Sequence, residues 1–311
     1  MQSGLLSNVR GAAALVLFVA CGCSGDDASQ ATAPSDGGSA PQDAATAADG
    51  GTQAQDAAAR DASDGATRDS ASSDSGNGEP GPGPTQQCAM TKDADNFFKL
   101  TSSKSDYWAR LPASYDVQSP KPTALLVAIH GCGDTAYNFA TWGAVPYALR
   151  ASQDYIAISI GGRDGQCWTV PQDAAIVNAA IAHARSCFYV HQKKIVLGGY
   201  SSGGELSYAM GMTSAASYAG ILIENSGLSQ GIGGANNVDG VLSSAAWKIN
   251  VAHSAHLQDA SFPIAGVQAD RDKMLAAGFP LQYREQAGDH NGTSDDWALF
   301  LIPKMGSWTA P

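Results

Sequence analysis

The stretch that most constrains the fold runs from residue 195 to 204 and reads Ile-Val-Leu-Gly-Gly-Tyr-Ser-Ser-Gly-Gly. Its first residues are apolar, as in a strand covered on both faces. Gly199 and Gly203 then bracket Ser201, and Glu205, Leu206, Tyr208, Ala209 and Met210 follow with helical spacing. A strand that becomes a helix over so few residues must bend sharply at Ser201. Side chains at 199 and 203 would collide with the two elements that meet there, so glycine is required at both. The bend lifts the Ser201 hydroxyl above the sheet edge. The first N–H groups of the helix face the space in front of it, where negative charge is favoured. In this strand–turn–helix setting, G-x-S-x-G marks Ser201 as a candidate nucleophile.

The pattern around that bend predicts the class of fold. Residues 107–111, 125–129, 155–160, 194–197, 220–224, 248–253 and 280–284 predict strands. Helices are predicted over 137–149, 172–185, after Ser201, over 265–277 with Gly278 as its stop, and from about Ser294. Residues 226–243, rich in Gly, Ser and Asn, read as a loop. Strands alternating with helices imply one α/β domain, a mostly parallel sheet covered by helices on both faces.

Not all 311 residues belong to it. Residues 1–23 read as a lipoprotein-type signal peptide: Arg10, a short apolar stretch from Gly11 to Ala20, then Cys21. Cys21 is the expected lipidated residue; Cys23 and an ordinary secretory cleavage are the alternatives. Residues 24–87 contain no aromatic residue and no Leu, Ile, Val or Met. Such a segment cannot bury enough apolar surface to offset chain entropy and is expected to be a disordered tether. It holds ten Asp and one Glu against two Arg, so it carries −9 of the chain's −11, and residues 88–311 carry −3. The acidity therefore belongs to the tether. No basic patch interleaved with aromatics is present, which argues against nucleic-acid binding. Residues 88–311 suffice for one single-core α/β domain, expected to be a monomer. They hold Cys88, Cys132, Cys167 and Cys187. An exported chain with four cysteines permits two disulfides in any of three pairings.

A nucleophilic serine needs a base, an acid to orient the base, and donors for the oxyanion. On a sheet of this kind acid and base follow the serine in chain order. His290, in a loop just past the last strand, is the expected base. Asp259, in the loop after strand 248–253, is the expected acid. Asp270 and Asp272 fall inside a helix pattern and read as solvated charges, and Asp289 is too close to His290 in sequence. The oxyanion donors are expected to be the backbone N–H groups of Ser202 and of Cys132, the latter in His130-Gly131-Cys132-Gly133 after strand 125–129. His130 precedes the serine, so it packs that loop rather than serving as base. A competing reading takes His253, His256, Asp259 and His290 as metal ligands, which requires H-x-x-H-x-x-D to be helical. The strand expected there argues against it, and no metal or cofactor is called for.

His130-Gly131-Cys132-Gly133, Cys167-Trp168, Gly199-Tyr200-Ser201-Ser202-Gly203-Gly204, Asn225-Ser226-Gly227, Asp259 and Gly288-Asp289-His290 occur in this order. Together they resemble the polyhydroxybutyrate depolymerase, feruloyl esterase and acetylxylan esterase group of α/β-hydrolases, over residues 95–305. The resemblance implies a single-domain α/β-hydrolase with Ser201, Asp259 and His290 as triad and the Cys132 and Ser202 amides as oxyanion hole. It further implies that Trp168 and His130 border the substrate and that Cys132 pairs with Cys167. Tyr200 and Ser202 depart from the Leu and Ala often found in the family, and the segment before Asp259 departs from its H-G-x-x-D form. The implied activity is hydrolysis of carboxylic esters outside the cytoplasm, either feruloyl or acetyl esters of plant polysaccharide or a short polyester, with the chain anchored to a membrane by Cys21. The other classes that fit the residues are a non-catalytic surface binding lipoprotein and a serine peptidase.

Overall fold

A computed structural model describes residues 81–311. The expected signal peptide with Cys21 and the expected tether up to residue 80 lie outside the described residues. At the end of the stretch expected to be a tether, the Thr85 and Gln86 N–H groups donate to Ser186 O at 2.9 and 3.0 Å, and a Cys88–Cys187 disulfide follows directly.

The elements in chain order are β1 (Phe98–Thr101), β2 (Asp106–Arg110), β3 (Thr123–Ile129), α1 (Ala136–Phe139), β4 (Ile156–Ile160), α2 (Ala174–Cys187), β5 (Val190–Tyr200), α3 (Ser202–Thr213), β6 (Gly220–Glu224), α4 (Leu228–Gly231), α5 (Val238–Ser244), β7 (Asn250–His256), α6 (Ile264–Ala276) and β8 (Leu281–Gln286), with short π- and 3-10-helical turns between and after them. All eight strands form one sheet, ordered β1-β2-β4-β3-β5-β6-β7-β8. The β1–β2 and β2–β4 pairs are antiparallel; every other pair is parallel.

The period of two along each strand divides the core between the two faces. Leu125, Val127, Ile129, Ile158, Leu197, Ile221 and Val251 pack on one face, where α2 contributes Val177, Ala180 and Ala184 and α3 contributes Leu206 and Met210. Leu126, Ala128, Ala157, Val196, Leu222 and Ala252 face the other way, against Phe139, Trp297, Leu301 and Met305. Both faces are covered, which is why β3 from Leu125 onward, β4 and β6 are buried at every position.

Three local expectations are corrected. The helix expected over 137–149 is broken into α1, a π-helical turn (Ala140–Ala144) and a 3-10 turn (Tyr147–Leu149). Pro146 offers no N–H to continue the ladder. The 226–243 segment is not an open loop: it holds α4 and α5. The expected surface charge Asp270 is 5% exposed and accepts the Ser229 N–H at 2.8 Å, which ties α4 to α6. The edge strand β1 has only two buried positions and was not foreseen.

Candidate active site

The site is assembled on the carboxyl rim of the parallel strands. β5 runs into Ser201, which takes φ 54° and ψ −124° before α3 begins at Ser202. A non-glycine residue at positive φ is strained, and the surroundings must hold it there. A Cβ at Gly203 would stand 2.0 Å from Ile129 O, and one at Gly199 would stand 2.2 Å from Gly203 O. The turn therefore lies flat on the end of β3 only because both positions are glycine. The Ser201 N–H donates to Glu224 O at 3.2 Å, fastening the turn to the end of β6.

Three residues from three rim loops meet here. The Ser201 hydroxyl donates to His290 Nε2 at 2.9 Å. The ring's Nδ1–H donates to Asp259 Oδ2 at 2.8 Å. The other Asp259 oxygen accepts the N–H groups of Ser261 and Phe262 at 2.8 and 2.9 Å, so the carboxylate is locked by its own loop. The imidazole lies between two rings, Tyr200 at 5.4 Å and Phe262 at 5.5 Å, both within 30° of parallel. This chain of bonds can pass the Ser201 proton to His290 while Asp259 holds the ring's tautomer and orientation.

The loop carrying His290 is held carbonyl by carbonyl. His256 Nδ1–H donates to Asp289 O at 2.8 Å, the Tyr200 hydroxyl donates to His290 O, and Asn225 Nδ2 donates to Asn291 O at 3.2 Å. Burial pushes the Tyr200 hydroxyl up to about 12, so it remains a donor throughout the neutral range. Asn225, at φ 45°, also accepts the His256 N–H at 3.1 Å. Behind the loop, Glu224 accepts the Thr293 N–H at 2.7 Å and the Trp297 indole N–H at 2.6 Å. Burial drives the Glu224 carboxyl well above its ordinary range, and its hydrogen bond to Asp296 pushes the same way. Burial also opposes ionisation of Asp296, yet bonds from His256, Glu224 and Gln286 and the charge of Arg284 hold it below the ordinary value.

A cavity of ≈ 460 Å³ opens in front of Ser201. The Cys132–Cys167 disulfide, Trp168, Tyr200 and Phe262 line one part of it, and Ser202, Glu205, Gln230 and Ser261 line the rest. Ser202 opens α3, so its N–H has no acceptor within the helix. With Cys132 on the same cavity, the two expected donor positions border the serine.

His130 requires correction. It is fully buried, with its ring 5.1 Å from the Trp168 ring, and the Trp168 indole N–H donates to His130 O at 2.9 Å. A side chain with no exposed surface does not touch substrate; it props the loop beneath Trp168. Trp168 reaches the cavity but is only 5% exposed, which leaves little ring face for stacking. The metal reading loses its condition, because His253 and His256 lie within β7. Three residues apart on a strand they project to opposite faces: His253 meets the Tyr208 hydroxyl at 3.0 Å, and His256 Nε2 lies 2.8 Å from Asp296 Oδ2.

Sequence reasoning assigned no role to Tyr200, Glu205, Asn225 or Phe262. Asn225 carried the best available signal, because it directly follows a buried strand on the same rim as Ser201.

No protein-family model matches the chain. Feruloyl esterase C of Emericella nidulans is 26% identical over 166 residues, which is 52% of this chain and 59% of that protein. The chain thus spans less than two thirds of the curated relative it matches. Among solved structures, a ferulic acid esterase from Anaeromyces mucronatus in complex with ferulic acid superposes with a TM-score of 0.51 at 12% identity, covering 64% of this chain and 85% of that one. An S-formylglutathione hydrolase from Staphylococcus aureus superposes with a TM-score of 0.51 at 12% identity, covering 63% and 91%. Sheet order, the strained serine turn at the end of the fifth strand and these likenesses agree: the chain has the α/β-hydrolase fold, and its sequence is similar to that of a feruloyl esterase.

Proposed function

We propose that this protein is a serine carboxylic ester hydrolase that works outside the cytoplasm on feruloyl or acetyl esters of carbohydrate. The observation that carries the reading is the unbroken chain Ser201–His290–Asp259, at 2.9 and 2.8 Å, on the rim of a cavity. His290 takes the proton as Ser201 Oγ attacks the ester carbonyl carbon. The Cys132 and Ser202 amides stabilise the oxyanion. The C–O bond to the alcohol breaks as His290 returns the proton to the leaving oxygen. Water, deprotonated by His290, then attacks the acyl-serine, and the acid departs with Ser201 restored. The similarity to a feruloyl esterase supports esters over amides and favours an aryl acyl group over a polyester. The two disulfides support an oxidising compartment. In this reading the chain acts as a monomer, and Cys21, if lipidated, tethers it to a membrane.

The test is hydrolysis of methyl ferulate, 4-nitrophenyl acetate, acetylated xylan and a hydroxybutyrate oligomer, beside fluorophosphonate labelling mapped by peptide mass. The expected result is label on Ser201 and highest turnover on methyl ferulate. No label and no turnover would overturn the hydrolase reading, and turnover confined to the hydroxybutyrate oligomer would overturn the substrate class.

Asn225→Ala is expected to lower kcat about tenfold, through lost hydrogen bonds to the His290 loop. KM should hardly move, since Asn225 does not line the cavity. Steady-state kinetics on 4-nitrophenyl acetate check this.

A further inference from the structure

Glu205 is a carboxyl without a partner among the described residues, in the wall of the proposed active site. It stands one helical turn beyond Ser201, about 6 Å along the axis of α3, and lines the same cavity as Ser201, Trp168 and His290. The other buried or half-buried carboxylates among the described residues are occupied: Asp173 by Arg163, Asp270 by the Ser229 N–H, Glu285 by Arg271 and Gln268. Glu205 has no such bond, and burial is the sole influence that raises its titration above the ordinary value. Leaving a carboxyl half-desolvated and unpaired costs free energy, and its place in the first turn of α3 offsets only part of that cost. Its neighbours sort by polarity. Gln230 lies on the cavity near it, with its side-chain oxygen engaged by the Ser229 hydroxyl. Trp168 and Phe262 supply the apolar lining. A ligand that fills this cavity would lay an apolar body along the rings and bring a donor to the carboxyl. An ionised carboxyl accepts hydrogen bonds and repels an acidic group, so the complementary ligand brings a donor, which on the esters proposed above is a hydroxyl.

We propose that Glu205 is a specificity residue that accepts a hydrogen bond from a hydroxyl group of the bound ester. The proposal rests on the esterase reading for the identity of the ligand. The hydroxyl can belong to the acyl part, as on a hydroxylated aromatic ring, or to the alcohol part, as on a sugar. The chemistry at Glu205 is the same.

The test uses the full chain carrying Ser201→Ala, so that esters bind without turning over. Binding of methyl cinnamate is compared with methyl 4-hydroxycinnamate for the acyl arm and with 2-hydroxyethyl cinnamate for the alcohol arm. In Ser201→Ala, one hydroxylated ester is expected to bind about tenfold more tightly than methyl cinnamate, the effect of one hydrogen bond to a charged group. Adding Glu205→Leu should bring the pair level. Adding Glu205→Gln, which keeps the shape and an acceptor but not the charge, should leave a reduced preference and guards against a folding defect in the leucine variant. Equal binding of all three esters to Ser201→Ala, or a preference that survives Glu205→Leu, overturns the proposal. Because the readout is binding, absence of turnover in the chain with Ser201 intact would sink the esterase reading while leaving this result standing.

Discussion

Ser201→Ala is expected to reduce ester turnover by roughly 10⁴- to 10⁶-fold, with an unchanged melting temperature. In the proposed mechanism the loss is large because the serine oxygen forms the covalent intermediate, and it is the Ser201 hydroxyl, not that of Ser202 or Ser261 on the same cavity, that bonds to His290 Nε2. His290 is flanked by rings and Asp259 is locked to its loop amides, so neither moves toward substrate. His290→Ala should cost nearly as much, because at neutral pH an unassisted serine hydroxyl is a weak nucleophile. The double variant should be hardly worse than either single one, since the residues act as a unit. Residual activity comes from the oxyanion donors and substrate binding alone. The measurement is kcat on 4-nitrophenyl acetate with protein freed of contaminating esterase. A Ser201→Ala variant within tenfold of the parent would remove the serine from the mechanism.

Gly203→Ala is expected to destabilise the fold by more than about 3 kcal/mol, a large part of the roughly 5–15 kcal/mol that holds a domain together. The added Cβ would meet Ile129 O at 2.0 Å and His130 O at 2.5 Å. Those atoms belong to the end of a central strand and cannot swing away as a side chain can. Relief requires α3 to lift off the end of β3, which separates Ser201 from the loop that carries Cys132. Insoluble expression or a sharply lowered melting temperature is the expected readout. Gly240→Ala is the control: Gly240 lies within α5 with nothing within 4 Å of its would-be Cβ. There alanine should stabilise by up to about 1 kcal/mol, the difference in helix propensity. Equal tolerance of both substitutions would contradict the close packing at the serine turn.

The two disulfides divide between scaffold and site. Cys88–Cys187 fastens the first of the described residues to the end of α2. Cys132–Cys167 joins the loop after β3 to the segment bearing Trp168 and borders the cavity directly. The second pairing was implied by family resemblance. The first was left open by the spacing of the cysteines and became evident only in three dimensions.

The sequence by itself determined the α/β class, the strands of the parallel sheet and the sharp turn at Ser201. Each of these is a local matter: period-two burial, continuous apolar runs and glycines at the bend are written in neighbouring residues. It also singled out Asp259 and His290 as partners for the serine, because a parallel sheet places every strand's carboxyl end on one rim. Only the tertiary structure decided what surrounds them. Tyr200, Asn225 and Phe262 grip His290 or its loop from segments far apart in the chain, and no period or spacing marks such contacts. The same holds for the burial of His130, which the family resemblance placed beside the substrate, and of Asp270, which reads as a surface charge on a helix. Whether a polar side chain faces water, substrate or a buried amide depends on what the rest of the chain packs against it, and that is settled by long-range contacts.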